Sequence, residues 1–317
     1  MRVLALVPGG IGDQLLFFPT LQSLKAIYPS ASLDVVAEPR SVAAYRLTTL
    51  VDRVWSFDFK DRNSLADWGN LLGNLREQEY SAVISLGQSW GVGFFLWLTG
   101  IPRRVGYQGK GNIWLTDVVP LKTEQYAAAM YHDLLTGLGI GQQCPPIKIQ
   151  VPKADLDWAE AEQIRLGIKD SGYILLHGGS SELALLKGIN KIYPPEKWAE
   201  VIKAVQNRVP LPIVVLQGPE DRELVSKLQS LAEVKVTSPS DLGKTAGMIA
   251  AANLFLCTDS APMHLGVAVG TAIVALFGPT ESKKLLPQND KFKAVQSPTK
   301  SIGDIDPQAV IDSILGK

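Results

Sequence analysis

The stretch from Leu254 to Thr280, LFLCTDSAPMHLGVAVGTAIVALFGPT, leaves its backbone few choices. Leu254 to Cys257 is a short apolar run of the kind a fully buried parallel strand shows. Thr258, Asp259 and Ser260 are helix-capping residue types, and Pro262 falls where a first helical turn accepts a residue without an N–H. Met263 to Val269 is small and apolar throughout, which predicts a deeply packed helix that Gly270 ends. Ala272 to Phe277 reads as a second buried strand, and Gly278-Pro279-Thr280 turns the chain outward. A helix that begins at the carboxyl end of a parallel strand gathers free N–H groups and the positive end of its dipole at one spot, so it attracts anions. Asp259, Ser260 and His264 crowd that spot. The ligand question is therefore which phosphate-bearing molecule sits there.

The same grammar runs through the whole chain. Residues 3–7 form a buried strand, Pro8 to Gly12 a glycine-rich turn, and Asp13 to Ala26 a helix. Strands are expected at Ser32–Ala37, Val54–Phe57, Ala82–Leu86 and from Arg104 to Tyr107, with helices at Val42–Leu50, Leu65–Gln78 and Trp90–Leu98. After the loop Gly141–Pro146, an alternating strand is expected over Ile147–Val151, closed by Pro152. The pattern then restarts: helix Leu156–Leu166, strand Tyr173–His177, turn Gly178-Gly179-Ser180-Ser181, and further strand–helix pairs into the opening stretch. Such alternation predicts an α/β fold with doubly wound parallel sheets. We place two Rossmann-like domains at 1–145 and 146–317, facing each other across a cleft.

Composition narrows the class. Lys and Arg number 31 and Asp and Glu 31, so the formal charge is zero and a nucleic-acid partner is not expected. Two cysteines, Cys144 and Cys257, sit far apart and in no zinc-like spacing. Cys257, inside an apolar strand, reads as a small core residue. No apolar run reaches the length of a membrane span, which points to a cytoplasmic protein. The apolar start, Val3 to Val7, runs straight into Pro8-Gly9-Gly10 and reads as a first strand rather than a leader.

Several residues admit two readings. Gly10 and Gly12 fill the first two positions of a dinucleotide fingerprint, but Leu15 occupies the third, so hydride-transfer chemistry is weakly supported. Asp13 is either a first-turn carboxylate that stabilises the helix dipole or a catalytic base held by backbone N–H groups. Asp259-Ser260 with His264 is either a cap with a buried histidine or a phosphate site, and both hold together. Lys191 is a solvated loop lysine or the neutralising partner of a diphosphate. Arg103-Arg104 with Lys110 is surface charge, or it meets an anionic ligand. The aromatic helix with Trp90, Phe94, Phe95 and Trp97 is best explained by core packing.

Taken together, Thr258-Asp259-Ser260-Ala261-Pro262-Met263-His264-Leu265 and Leu276-Phe277-Gly278-Pro279-Thr280 resemble the signature of glycosyltransferase family 9, the heptosyltransferases. Gly10-Ile11-Gly12-Asp13 looks like that family's first-domain motif. Lys191 with Tyr193-Pro194-Pro195-Glu196-Lys197-Trp198 is similar to its K-x-W-P-x-x-x-W segment, and Arg104-Val105-Gly106-Tyr107 fits a further pattern. The resemblance implies a GT-B fold and inverting transfer of a heptose or similar sugar from a nucleotide diphosphate donor, without metal or cofactor. It implies ADP as the nucleotide and a lipopolysaccharide-core or lipid-linked glycan as acceptor, with peripheral contact at the inner membrane through that acceptor. Asp13 would be the base. Lys191, Asp259, Ser260, Ala261 and His264 would hold the diphosphate, with Ser180 on the neighbouring turn and Glu220 at the donor ribose, where Glu223 competes. Gly10, Gly12, Arg103 and Arg104 would lie on the acceptor side. Two departures stand out: Ala261 where the family has glycine, and Tyr193 where it has tryptophan. The alternatives kept open are a non-catalytic nucleotide-sugar binding or scaffold protein and a GT-B-like nucleotide-sugar epimerase.

Overall fold

The computed structural model describes residues 1–59, 63–179, 182–186 and 188–316. The chain divides into two units, Met1–Gln150 and Val151–Lys317.

The first unit is built from strands β1 (Arg2–Val7), β2 (Ser32–Ala37), β3 (Arg53–Ser56), β4 (Ala82–Ser85), β5 (Arg103–Tyr107) and β6 (Asp117–Val119). All pair in parallel, in the order β3-β2-β1-β4-β5-β6. Helix α1 (Ile11–Ile27) follows β1, α2 (Leu65–Arg76) precedes β4, α3 (Trp90–Leu98) follows β4, and α4 (Ala127–His132) follows β6. Leu4, Leu6 and Val83 from the strands pack against Leu71 and Leu75 of α2 and Phe95 and Leu96 of α3. Helix α1 is buried over nearly its whole length, from Gln14 to Leu24, because it packs on the strands on one side and on α4 and the segment after β2 on the other.

The second unit repeats that plan. Its helices are α5 (Lys153–Leu166), α6 (Glu182–Leu186), α7 (Pro195–Gln206), α8 (Arg222–Leu231), α9 (Leu242–Ala251), α10 (Ala261–Val269), α11 (Ser282–Leu285) and α12 (Pro307–Leu315). Strands β7 (Ile174–His177), β8 (Ile213–Leu216), β9 (Lys235–Thr237), β10 (Leu254–Thr258), β11 (Ile273–Phe277) and β12 (Phe292–Gln296) form a second all-parallel sheet, ordered β12-β11-β10-β7-β8-β9. Counting strands within each unit, both sheets read 3-2-1-4-5-6. That order reverses direction between strands 1 and 4, and the carboxyl ends there open a ligand crevice. In the first unit the reversal lies between β1 and β4, in the second between β7 and β10. The expected α/β architecture of two Rossmann-like units is therefore present.

Some expectations fail locally. The segment predicted as a helix over Val42–Leu50 is a 3₁₀ helix at Pro39–Leu47, started by Pro39. Ile147–Val151 joins no sheet: Pro145, Pro146 and Pro152 remove donors around it, and Gln150 N–H bonds to Leu47 O instead. The aromatic helix does not pack inward as a whole. Phe95 is buried, but Trp90 is 51% exposed and Trp97 48%. Cys257 is fully buried, and burial pushes its thiol well above the ordinary range.

Candidate functional site

In the second unit the crevice is walled by the turns after β7 and β10. Helix α10 starts as its sequence predicts, with Ser260 at the N-cap position and Pro262 in the first turn. The Ser260 side chain does not cap its own helix. Its Oγ lies 3.3 Å from His177 Nδ1 at the end of β7, and donates to Thr258 O at 3.2 Å. Thr258 Oγ1 donates to Gly179 O at 3.1 Å, so the two turns are tied directly. His177 Nε2 is 3.3 Å from Asp221 Oδ2, and Asp221 accepts from Gly218 N–H at 2.8 Å. Burial raises the Asp221 carboxyl, but the His177 contact and the Gly218 N–H outweigh it and leave the group below its ordinary value.

This packing explains the glycines at 178 and 179. A Cβ on Gly179 would sit 1.7 Å from Asp221 Oδ1, and one on Gly178 would sit 2.7 Å from Trp198 Nε1. No side chain fits between the β7 turn and the residues beneath it.

Lys191 reaches the same spot from the loop before α7. Its Nζ donates to Asp259 Oδ2 at 2.6 Å, and Thr280 Oγ1 donates to that oxygen at 2.7 Å. Asp259 is 4% exposed and the Lys191 side chain 20%. A buried carboxylate thus aims the ammonium at the start of α10. His264 is buried one turn into that helix, and Ala261 occupies its first position. Glu220 lies exposed beside Asp221 in the turn after β8. Ser180 falls outside the described residues.

Tyr193, the second departure from the family pattern, is fully buried. Its ring meets Trp198 edge-on at 5.1 Å, and its hydroxyl donates to Ile305 O at 3.0 Å. That hydroxyl has a partner which a tryptophan would satisfy differently.

In the first unit, the turn after β1 presents Asp13 from the first turn of α1. Its Oδ2 accepts the Gly10 N–H at 2.8 Å, and its Oδ1 accepts the Tyr131 hydroxyl of α4 at 2.9 Å. Gly9 has φ +144°, and a Cβ there would lie 2.3 Å from Asp13 Oδ2, so only glycine permits this approach. Behind it, Gln14 donates to Val7 O at 3.0 Å and accepts from Tyr45 OH at 2.5 Å, which pins the base of the turn. Burial and the Asp13 carboxylate push the Tyr131 phenol far above its usual value, so it remains a donor at any physiological pH.

Arg103 and Arg104 do not join Asp13. They begin β5, and in a parallel sheet every strand start lies at the edge opposite the carboxyl ends. Arg103 is committed to Asp117 at 3.1 Å and Gly137 O at 2.5 Å. Arg104 donates to Trp114 O at 2.9 Å and Ile101 O at 2.6 Å. Arg104 ties down the loop between β5 and β6, and Arg103 ties β5 to β6 and to the segment after α4. Gly10 and Gly12, by contrast, belong to the Asp13 turn.

Sequence reading missed Tyr131, His177 and Asp221. Each acts on a partner far away in the chain, and the one local signal was a histidine ending an apolar strand before Gly178-Gly179.

Two Rossmann-like units, one with a lysine aimed at a helix N-terminus and the other with a presented carboxylate, define a protein of GT-B architecture. The model of glycosyltransferase family 9 (heptosyltransferase) matches residues 68–310, and the chain belongs to that family. The Asp13 turn lies before the matched residues. The photosynthetic NDH subunit of subcomplex B 1, chloroplastic, of Arabidopsis thaliana is 25% identical, over 96% of this chain and 71% of its own. Lipopolysaccharide heptosyltransferase 3 of Escherichia coli is also 25% identical, over 85% of this chain and 81% of its own. The solved structure of the E. coli heptosyltransferase WaaC with ADP superposes with a TM-score of 0.77 at 19% identity, covering 100% of this chain and 99% of that one.

Proposed function

We propose that the chain is an inverting, metal-independent glycosyltransferase that moves a heptose or similar sugar from an ADP-linked donor to a lipopolysaccharide-core or related glycan. The observation that carries this reading is the convergence of Lys191, Asp259 and Thr280 at the start of α10. A departing nucleotide diphosphate needs positive charge and N–H donors, and the Lys191 ammonium and the start of α10 can supply both in place of a metal ion. The E. coli structure with ADP supports adenine as the base.

Asp13 takes the proton from the acceptor hydroxyl. The hydroxyl oxygen forms its bond to the anomeric carbon as the bond from that carbon to the diphosphate oxygen breaks. The electron pair leaves with the nucleotide diphosphate, and attack from the opposite face inverts the configuration. Proton transfer comes late, once the anomeric centre has oxocarbenium character, so the base need not be strong. Lys191, released from Asp259 towards the phosphates, offsets the charge that develops on the leaving group. The reaction runs in the cytoplasm, where the nucleotide sugar is available, on an acceptor carried by the inner membrane.

Replacing Asp13 by Ala removes the base and leaves the second unit untouched. Transfer should fall by at least about a thousandfold while ADP binding persists. Full activity in Asp13→Ala overturns the assignment. The Arabidopsis relative favours a second reading, a non-catalytic subunit that keeps the nucleotide site; ADP binding with no turnover on any acceptor supports it instead.

A further inference from the structure

Ser260 stands at the N-cap position of α10, yet its side chain does not cap that helix. A serine there ordinarily accepts an N–H of the first turn, a bond worth about 1 kcal/mol to the helix. Instead its Oγ faces His177 Nδ1 at 3.3 Å and donates to Thr258 O at 3.2 Å. The forgone cap places the hydroxyl in a polar chain that runs from α10 through the end of β7 to the turn after β8.

The far end of that chain assigns its protons. His177 and Asp221 are both buried, with the carboxylate 3.3 Å from Nε2 and held by the Gly218 N–H at 2.8 Å. A carboxylate only accepts, so Nε2 carries a hydrogen. Nδ1 then has two states. In the neutral ring it accepts the Ser260 proton, and the hydroxyl has nothing left to donate. In the imidazolium it donates to Ser260 Oγ, and the hydroxyl proton goes to Thr258 O or to a phosphate oxygen. Only the second state agrees with the bond to Thr258 O, and it also sets a positive charge beside the start of α10. A diphosphate bound there favours that state.

Other titratable and charged groups surround the ring. Cys257 lies opposite His177 in the β10 register, and burial keeps its thiol protonated. Lys191 and Asp259 bond to each other. From α7 and α8, Trp198 and Leu224 press against Gly178, and neither is charged. Glu220, Arg222 and Glu223 are exposed to solvent, and His264 is buried one turn into α10.

We propose that His177, protonated and paired with Asp221, is a positioning residue that makes the Ser260 hydroxyl a donor to the diphosphate of the sugar nucleotide. This role rests on the transferase reading above and adds a proton to it. The diphosphate gains negative charge as its bond to the sugar breaks, so the donor counts for more in the transition state than in the bound ground state.

Calorimetry of ADP binding in buffers of different ionisation enthalpy counts the protons taken up. At about pH 8 the wild type should take up more than His177→Asn, by up to about one proton, since an asparagine amide donates to Ser260 without titrating. Titration of ADP itself is common to both and cancels. His177→Asn should hold ADP affinity within about threefold, while His177→Ala loses about tenfold and lowers kcat more than it raises donor KM. Adenosine, which has no phosphate, should bind all three proteins equally. If His177→Ala does not fold, Ser260→Ala decides, because it leaves the ring in place and should also lose the additional uptake. Equal uptake in wild type and His177→Asn would overturn the proposal while ADP binding, and the transferase reading with it, stands. A wild type that binds none of ADP, UDP and GDP would overturn that reading and the proposal together.

Discussion

Asp13 has one hydrogen bond on each carboxylate oxygen, from the Gly10 N–H and the Tyr131 hydroxyl. The pair fixes the direction in which the remaining lone pairs point, and Tyr131 reaches across 118 residues of sequence to do so. Tyr131→Phe should lower kcat by about tenfold, the worth of one hydrogen bond to a charged group, with the donor KM unchanged. Equal losses in kcat and donor affinity would contradict that role. Gly9→Ala tests the same turn from the backbone side. Its Cβ would collide with Asp13 Oδ2 at a φ that alanine rarely adopts, so the variant should lose at least about 1 kcal/mol of stability and most of its activity. Denaturant melts and initial rates check both. At this scale the sequence singled out Asp13, Lys191 and Asp259, because their types are unusual beside glycine-rich turns, and the structure pairs Lys191 with Asp259. The sequence could not show Tyr131 or Asp221, whose partners are set by which strands become neighbours. Arg103 and Arg104 misled for the same reason: a strand start looks like any other loop residue until the sheet assigns it an edge.

At the scale of elements, apolar runs bounded by glycine or proline marked most strands and helices to within a residue or two. Trp90–Leu98 and Ser32–Ala37 fall on the expected bounds. The exceptions have weak internal pattern. β6 and β12 are edge strands, β6 only three residues long and β12 mostly exposed, so neither has an apolar run long enough to reveal it. The 3₁₀ segment Pro39–Leu47 has a helix-like composition, but its packing on α1 decides its geometry. The contact between β7 and the turn after β8 gives a pH test. Asp221 is held below its ordinary value in the folded chain, so its pairing contributes stability above the unfolded carboxylate range. That contribution is lost as pH falls through the lowered value. Thermal melts of wild type and Asp221→Asn should differ most above about pH 4 and converge below it. A constant difference down to pH 2 would show that Asp221 is not ionised in the fold.

Across the whole molecule, the repeated 3-2-1-4-5-6 order explains why each unit places its chemistry at one sheet edge. The second unit has the features of a nucleotide site, and the first presents a carboxylate. No helix among the described residues is long and apolar enough to cross a membrane. ADP at a hundredfold excess over its Kd should raise Tm by about 5 °C, more than UDP or GDP at equal concentration. A larger shift with UDP would count against an ADP-linked donor.

Inverting transfer with Asp13 as base is what we propose, and NMR of the product is its direct test. ADP-heptose is incubated with a lipopolysaccharide-core acceptor, and the anomeric signal of the new linkage is compared with that of the donor. Inverted configuration at the transferred sugar, absent with Asp13→Ala, is the predicted result. A retained anomer would contradict the account, and so would a sugar altered without any acceptor, the outcome an epimerase would give.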